Sequence, residues 1–121
     1  MIDGGSVTIY VSDMERAVRF YAETLGLRVA HRGGPGFTAI DAGRGLEIGL
    51  HATHPGGPRP GQVGGTQLGF NVARPIEEVV DELRRRGVAV DGPRPGGGPI
   101  MLAFFADPDG NPLHLVEERL S

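Results

Sequence analysis

The chain has 121 residues, 39% of them hydrophobic, and a net charge of -3, which suits one ordinary domain with a single core. It has no cysteine, which excludes disulfides, thiolate metal sites and cysteine nucleophiles. No apolar run nears the roughly 20 residues of a membrane span, and MIDGGSVTIY lacks the basic-then-apolar order of a signal peptide; a soluble cytoplasmic protein with no membrane partner is expected.

Val7, Ile9 and Val11 alternate with Ser6, Thr8, Tyr10 and Ser12, the period-2 pattern of a strand with one apolar face. Ser12 or Asp13 then caps a helix, and Ser12 with Glu15 fits a capping box. Ala17, Val18, Tyr21 and Leu25 predict a helix over 14–25, closed by Gly26. Three strands follow, 27–31, 37–42 and 46–52, with RGGPG and GRG as turns between them. Residues 54–65, HPGGPRPGQVGG, read as a linker.

The pattern then restarts. Leu68, Phe70 and Val72 alternate with Gln67, Gly69 and Asn71. Pro75 opens a helix whose stripe is Ile76, Val79, Val80 and Leu83, and Gly87 ends it. Strands are expected at 88–90, 100–106 and 112–118. All 12 basic residues are arginine, and their one cluster, Arg84-Arg85-Arg86, lies at this helix end, where it complements the dipole. With no wider basic surface, no nucleic-acid partner is expected.

The halves overlay at an offset of 61: Val7 on Leu68, Ile9 on Phe70, Val11 on Val72, Val18 on Val79 and Gly26 on Gly87. Each half reads β-α-β-β-β, module one at 1–53 and module two at 66–121. One helix covers one face of such a small sheet, and the bare face needs a shared space or another chain. The expected fold is α+β, two modules forming a cup-shaped sheet that could hold a ligand.

The duplicated pattern, with VTIYVSDMERAVRFYAETLGL (7–27) as an opening and FADPDGNPLHLVEE (105–118) as a closing hairpin, resembles the vicinal oxygen chelate superfamily. That group includes glyoxalase I, extradiol dioxygenases, and fosfomycin- and bleomycin-resistance proteins. The resemblance implies a homodimer and, in metal-dependent members, one His, Glu or Gln ligand on each of four strands. Those positions fall here on Ser6, Gly49, Gln67 and His114. Glycine offers no ligand and serine a poor one, so the metal motif looks eroded; stable sites usually need three protein ligands. A displaced set of His51, Gln67 and His114 requires His51 to reach about 7 Å along its strand.

No other chemistry is well signalled. The glycine-rich RGGPG and GPRPGGGP do not open a helix after a strand. A Ser6–His114 nucleophile pair has no acidic residue to orient the histidine. The reading is a metal-independent binder of a small molecule, in character like bleomycin-resistance members, sequestering an aromatic antibiotic or natural product with no cofactor. Its ligand-binding residues are Ser6, Tyr10, Gly49, His51, Gln67, Asn71, Phe105 and His114, with Phe37 and Met101 as further apolar wall. Gly49 and Gly69 leave room for the ligand or ease strand curvature. The alternative is a metal-dependent glyoxalase-like lyase, isomerase or dioxygenase.

Overall fold

A computed structural model describes residues 1, 5–63 and 67–119. The chain divides into two compact units, one of Met1–Gln62 with Pro108–Asn111, the other of Val63–Asp107 with Pro112–Ser121. Residues 64–66, where the expected linker meets the expected second module, lie outside the described residues.

In the first unit the alternating opening forms β1 (Ser6–Val11). Asp13 caps the helix that follows, its carboxylate accepting from the Arg16 backbone N–H at 3.0 Å. The expected Ser12–Glu15 box is replaced, because Ser12 turns to Asp109 and Glu15 pairs with Arg32. The helical pattern is met by two kinds of turn, α1 (Met14–Arg19) and then a π-helical turn over Phe20–Thr24. Leu25 N–H reaches Phe20 O at 2.9 Å across that widened turn. It buries two consecutive rings, Phe20 and Tyr21, packed edge-on at 5.3 Å. Gly26 follows with φ 74°, the left-handed conformation that ends helices.

β2 (Arg28–Arg32), β3 (Phe37–Asp41) and β4 (Glu47–Ala52) complete a sheet of order β1-β4-β3-β2, with β1 parallel to β4. One face carries Val11, Ile40, Ile48 and Leu50, all fully buried, and α1 packs against β3 and β4. Each such buried chain contributes about 1.5–3 kcal/mol. Segment 54–62 is held by short bonds, among them Thr53 Oγ1 donating to Pro58 O at 2.6 Å.

The second unit repeats this order with β5 (Leu68–Asn71), α2 (Ile76–Arg85), β6 (Asp91–Pro95), β7 (Ile100–Ala106) and β8 (Pro112–Glu118), arranged β5-β8-β7-β6. Ile76, Val80 and Leu83 of α2 are buried, as are Ala103, Phe105, Leu113 and Leu115 of the sheet. Pro75 is the N-cap rather than the first helical residue and offers no side-chain cap. Glu117 of β8 supplies one, accepting the Ile76 N–H at 2.9 Å. The strand expected at 88–90 is displaced to Asp91–Pro95. Val88 N–H closes the helix end on Leu83 O, and the Arg84 guanidinium holds Val90 O and Gly92 O at 2.8 and 2.9 Å. The proline-containing β6 is an edge strand, where proline is tolerated.

Thr38 sits on the helix-covered face with its Oγ1 buried and without a hydrogen-bond partner. Thr38→Val keeps the shape and removes the unsatisfied hydroxyl, so a gain of about 1 kcal/mol is expected. Urea denaturation checks it; a loss of stability would show that the hydroxyl is satisfied.

The surface carboxylates set an acid limit. Asp41, bonded first by the Arg28 side chain and then by Gly43 N–H, is held below the usual carboxylate range. Arg119 does the same to Glu77, and Arg85 to Glu82. A carboxylate with a lowered folded-state pKa binds fewer protons folded than unfolded. Its contribution is therefore present above the ordinary carboxylate range and is lost as pH falls through the folded value. Thermal unfolding is expected to shift down on acidification below about pH 4, and by less in high salt at neutral pH because these pairs are exposed. A melting temperature flat between pH 6 and pH 3 would contradict this.

Candidate functional site

In each unit the sheet face opposite the helix carries the candidate residues, and strand register arranges them in rows. In the first unit Tyr10, His51 and Phe37 stand side by side on β1, β4 and β3. The His51 ring lies 4.8 Å from Phe37, edge-on, and 5.9 Å from Tyr10, tilted by 45°. The neighbouring row is Thr8, Gly49 and Ala39, and beyond it stand Ser6, Glu47 and Asp41. Ser6 is exposed and two rows from His51.

In the second unit Gly69, His114 and Phe104 form a row on β5, β8 and β7, the counterpart of the Thr8, Gly49 and Ala39 row. The His114 and Phe104 rings are 5.9 Å apart, tilted by 41°. The Arg94 guanidinium lies over the Phe104 ring, 4.7 Å from its centre, and also pairs with Asp91 at 2.8 Å. Asn71, Val116 and Leu102 make the next row. Gln67 is exposed just before β5, and Asn71 is exposed at its end.

Phe105, expected on the ligand wall, is turned to the other face. It pairs with Leu113, is 7% exposed and belongs to the core under α2. Met101, opposite Glu117, has the same parity. Their neighbours Phe104 and Leu102 take the places expected for them. The register decides this: Ala106 stands opposite Pro112 across the turn, and therefore Phe104 opposite His114.

Each of the two strand glycines stands against a ring of the protein itself. A Cβ on Gly69 would meet His114 Cε1 at 2.8 Å and Nε2 closer still, and one on Gly49 would meet Phe37 Cε1 at 3.1 Å. The protein's own rings fill the space that these glycines open. His114 is thereby clamped. Nε2 lies against Gly69, and Nδ1 is buried without a hydrogen-bond partner. This favours a ring that stacks over one that donates hydrogen bonds.

The sequence model of the Glyoxalase/Bleomycin resistance protein/Dioxygenase superfamily matches residues 5–115. The chain belongs to this superfamily. Virulence protein STM3117 of Salmonella typhimurium is 32% identical over 119 residues, 92% of this chain and 81% of that protein. Among solved structures, TnmS3, an antibiotic binding protein from Streptomyces sp. CB03234, is 30% identical with a TM-score of 0.77, covering 100% of this chain and 98% of that one. A glyoxalase/bleomycin resistance protein from the same Streptomyces strain is 31% identical, also with a TM-score of 0.77, over 95% and 100% of the two chains.

Some members of the glyoxalase/bleomycin-resistance superfamily hold a metal, and the residues here do not fit one. The four positions at which the resemblance implies ligands carry Ser6, Gly49, Gln67 and His114, a single imidazole among them. The register supports that alignment. Thr8 pairs with Gly49 as Gly69 pairs with His114, and Thr8 and Gly69 are related by the 61-residue offset. His51 is one row further along, equivalent to Val116. Among the described residues no three His, Asp or Glu side chains are grouped so as to hold a metal ion. Nor, among them, is any helix long and apolar enough to cross a membrane.

Proposed function

We propose that this member of the superfamily binds a small aromatic molecule, an antibiotic or natural product, and sequesters it without a metal. The observation that carries the reading is the grouping of rings on the helix-free faces, beside ligand positions that are poor in metal donors. His114 and Phe104 make one ring surface; Tyr10, His51 and Phe37 make another. Rings present large, rigid area to a flat ligand, and paired rings gain about 0.5–1.5 kcal/mol beyond their burial. Ser6 and Asn71, polar and on the same faces, and Gln67 just before β5 supply orienting hydrogen bonds in this reading; Gly49 leaves the Phe37 ring its place. The similarity to TnmS3 supports the class of ligand.

The test is calorimetric or fluorescence titration against a panel of aromatic antibiotics, with metal analysis of protein purified without chelators. The expected result is at least one ligand near micromolar Kd, about -8 kcal/mol, and no stoichiometric metal. Binding no tighter than about 1 mM across the panel, or one bound metal per chain, would overturn the reading; the second outcome would favour a metal-dependent lyase, isomerase or dioxygenase. The homodimer implied by the family is part of the proposal and is read by light scattering.

A further inference from the structure

The turn Pro108–Asn111 belongs to the first unit, and its side chains bind that unit's first strand and helix start. Asn111 Nδ2 donates to Tyr10 O at 3.2 Å, and Asn111 Oδ1 accepts the Gly61 N–H at 2.8 Å. The partners fix the orientation of this amide: a carbonyl can only accept and a backbone N–H can only donate. β1 is an edge strand, so a carbonyl on its outer side has no neighbouring strand to pair with. Asn111 meets that need at Tyr10, the residue whose ring stands beside His51. Two residues before Asn111, Asp109 accepts from the Ser12 N–H at 3.1 Å, from the Ser12 hydroxyl, and from Arg16 at 3.2 Å.

We infer that Asn111 is a positioning residue for Tyr10. One carboxamide ties the outer edge of β1 to the segment ending at Gly61. With Asp109 holding the next turn of chain, it fixes the backbone from which the Tyr10 ring projects. The part that Tyr10 plays in ligand binding rests on the reading above; the attachment itself does not.

The composition supplies the assay. The chain has two tyrosines and no tryptophan, and Tyr21 is fully buried while Tyr10 is partly exposed. Acrylamide quenching of tyrosine emission therefore reports on Tyr10, in the full chain and with no ligand present. Asn111→Ala is expected to steepen the quenching plot and to speed exchange of the Gly61 amide proton. Asn111→Asp keeps an acceptor for Gly61 but faces the Tyr10 carbonyl with a carboxylate oxygen. It is expected to steepen quenching while leaving Gly61 protected, a split that general loosening would not produce. If Asn111→Ala fails to fold, Asn111→Asp carries the test alone. Quenching in a folded variant equal to that of the unaltered chain would overturn the inference. A chain that binds none of the panel yet shows the split keeps it and removes only the binding reading.

Discussion

Gly69→Ala is expected to lower stability by about 1–2 kcal/mol and to weaken binding of an aromatic ligand at least about tenfold. Gly69 lies in β5 without a positive φ, so alanine is conformationally acceptable and by itself favourable by roughly 0.5–1 kcal/mol. Opposing this, the new Cβ would stand 2.8 Å from His114 Cε1 and closer to Nε2, well inside contact distance. The ring cannot swing away freely, because Phe104 flanks it and its Nδ1 is buried. Overpacking of about 1–3 kcal/mol therefore outweighs the backbone gain. The control is the double mutant Gly69→Ala with His114→Ala, in which no ring remains to collide. Its cost should fall short of the sum of the single mutants by about 1 kcal/mol or more. Urea denaturation reads stability and titration reads affinity. A Gly69→Ala protein as stable as its parent, with the His114 ring resonances unmoved, would sink the clamp.

Asp109→Ala is expected to cost about 3 kcal/mol and to lower Tm by roughly 10 °C or more. The Asp109 side chain is only 6% exposed and accepts three charge-assisted hydrogen bonds from Ser12 and Arg16. Charged hydrogen bonds contribute about 1.5–3 kcal/mol each when broken singly. Arg16, 44% exposed, recovers part of its share from water, so the sum is discounted. Ser12→Ala, which removes the hydroxyl's bond to Asp109 and the one it accepts from Arg16 at 3.1 Å but keeps the backbone bond, should cost about 1 kcal/mol. A calorimetric scan of the three proteins orders them; an Asp109→Ala protein melting with its parent would show the contact to be incidental.

Much of this architecture is legible from local pattern. β1, the two helices and the repeat follow from periodicity, because each element has one apolar face that must be buried. The faces carrying Tyr10, Gly49 and His51 follow from alternation within each strand. Residues 100–106 gave no such guidance. IMLAFFA is apolar throughout, so Phe104 and Phe105 are interchangeable until the register with β8 is known. The β6 boundary was hidden for a different reason. Val88–Val90 has the composition of a strand, but Arg84 claims the carbonyls of Val90 and Gly92.

The turn Asp107–Asn111 shows where the division lies. Its proline and glycine announce a tight turn to anyone reading the sequence, and its charges are not catalytic candidates. Asp109 and Ser12 are 97 residues apart, and no periodicity links residues at that distance. By itself the sequence determined the superfamily, the duplicated module and the poverty of the metal donor set, since these depend on residue identity and local repeat. Only the tertiary structure decided that Phe104 rather than Phe105 shares a face with His114, that His114 itself fills the space over Gly69, and that Asp109 and Asn111 grip the first strand. Those outcomes depend on register and long-range hydrogen bonding, which side chains settle together once the chain has folded.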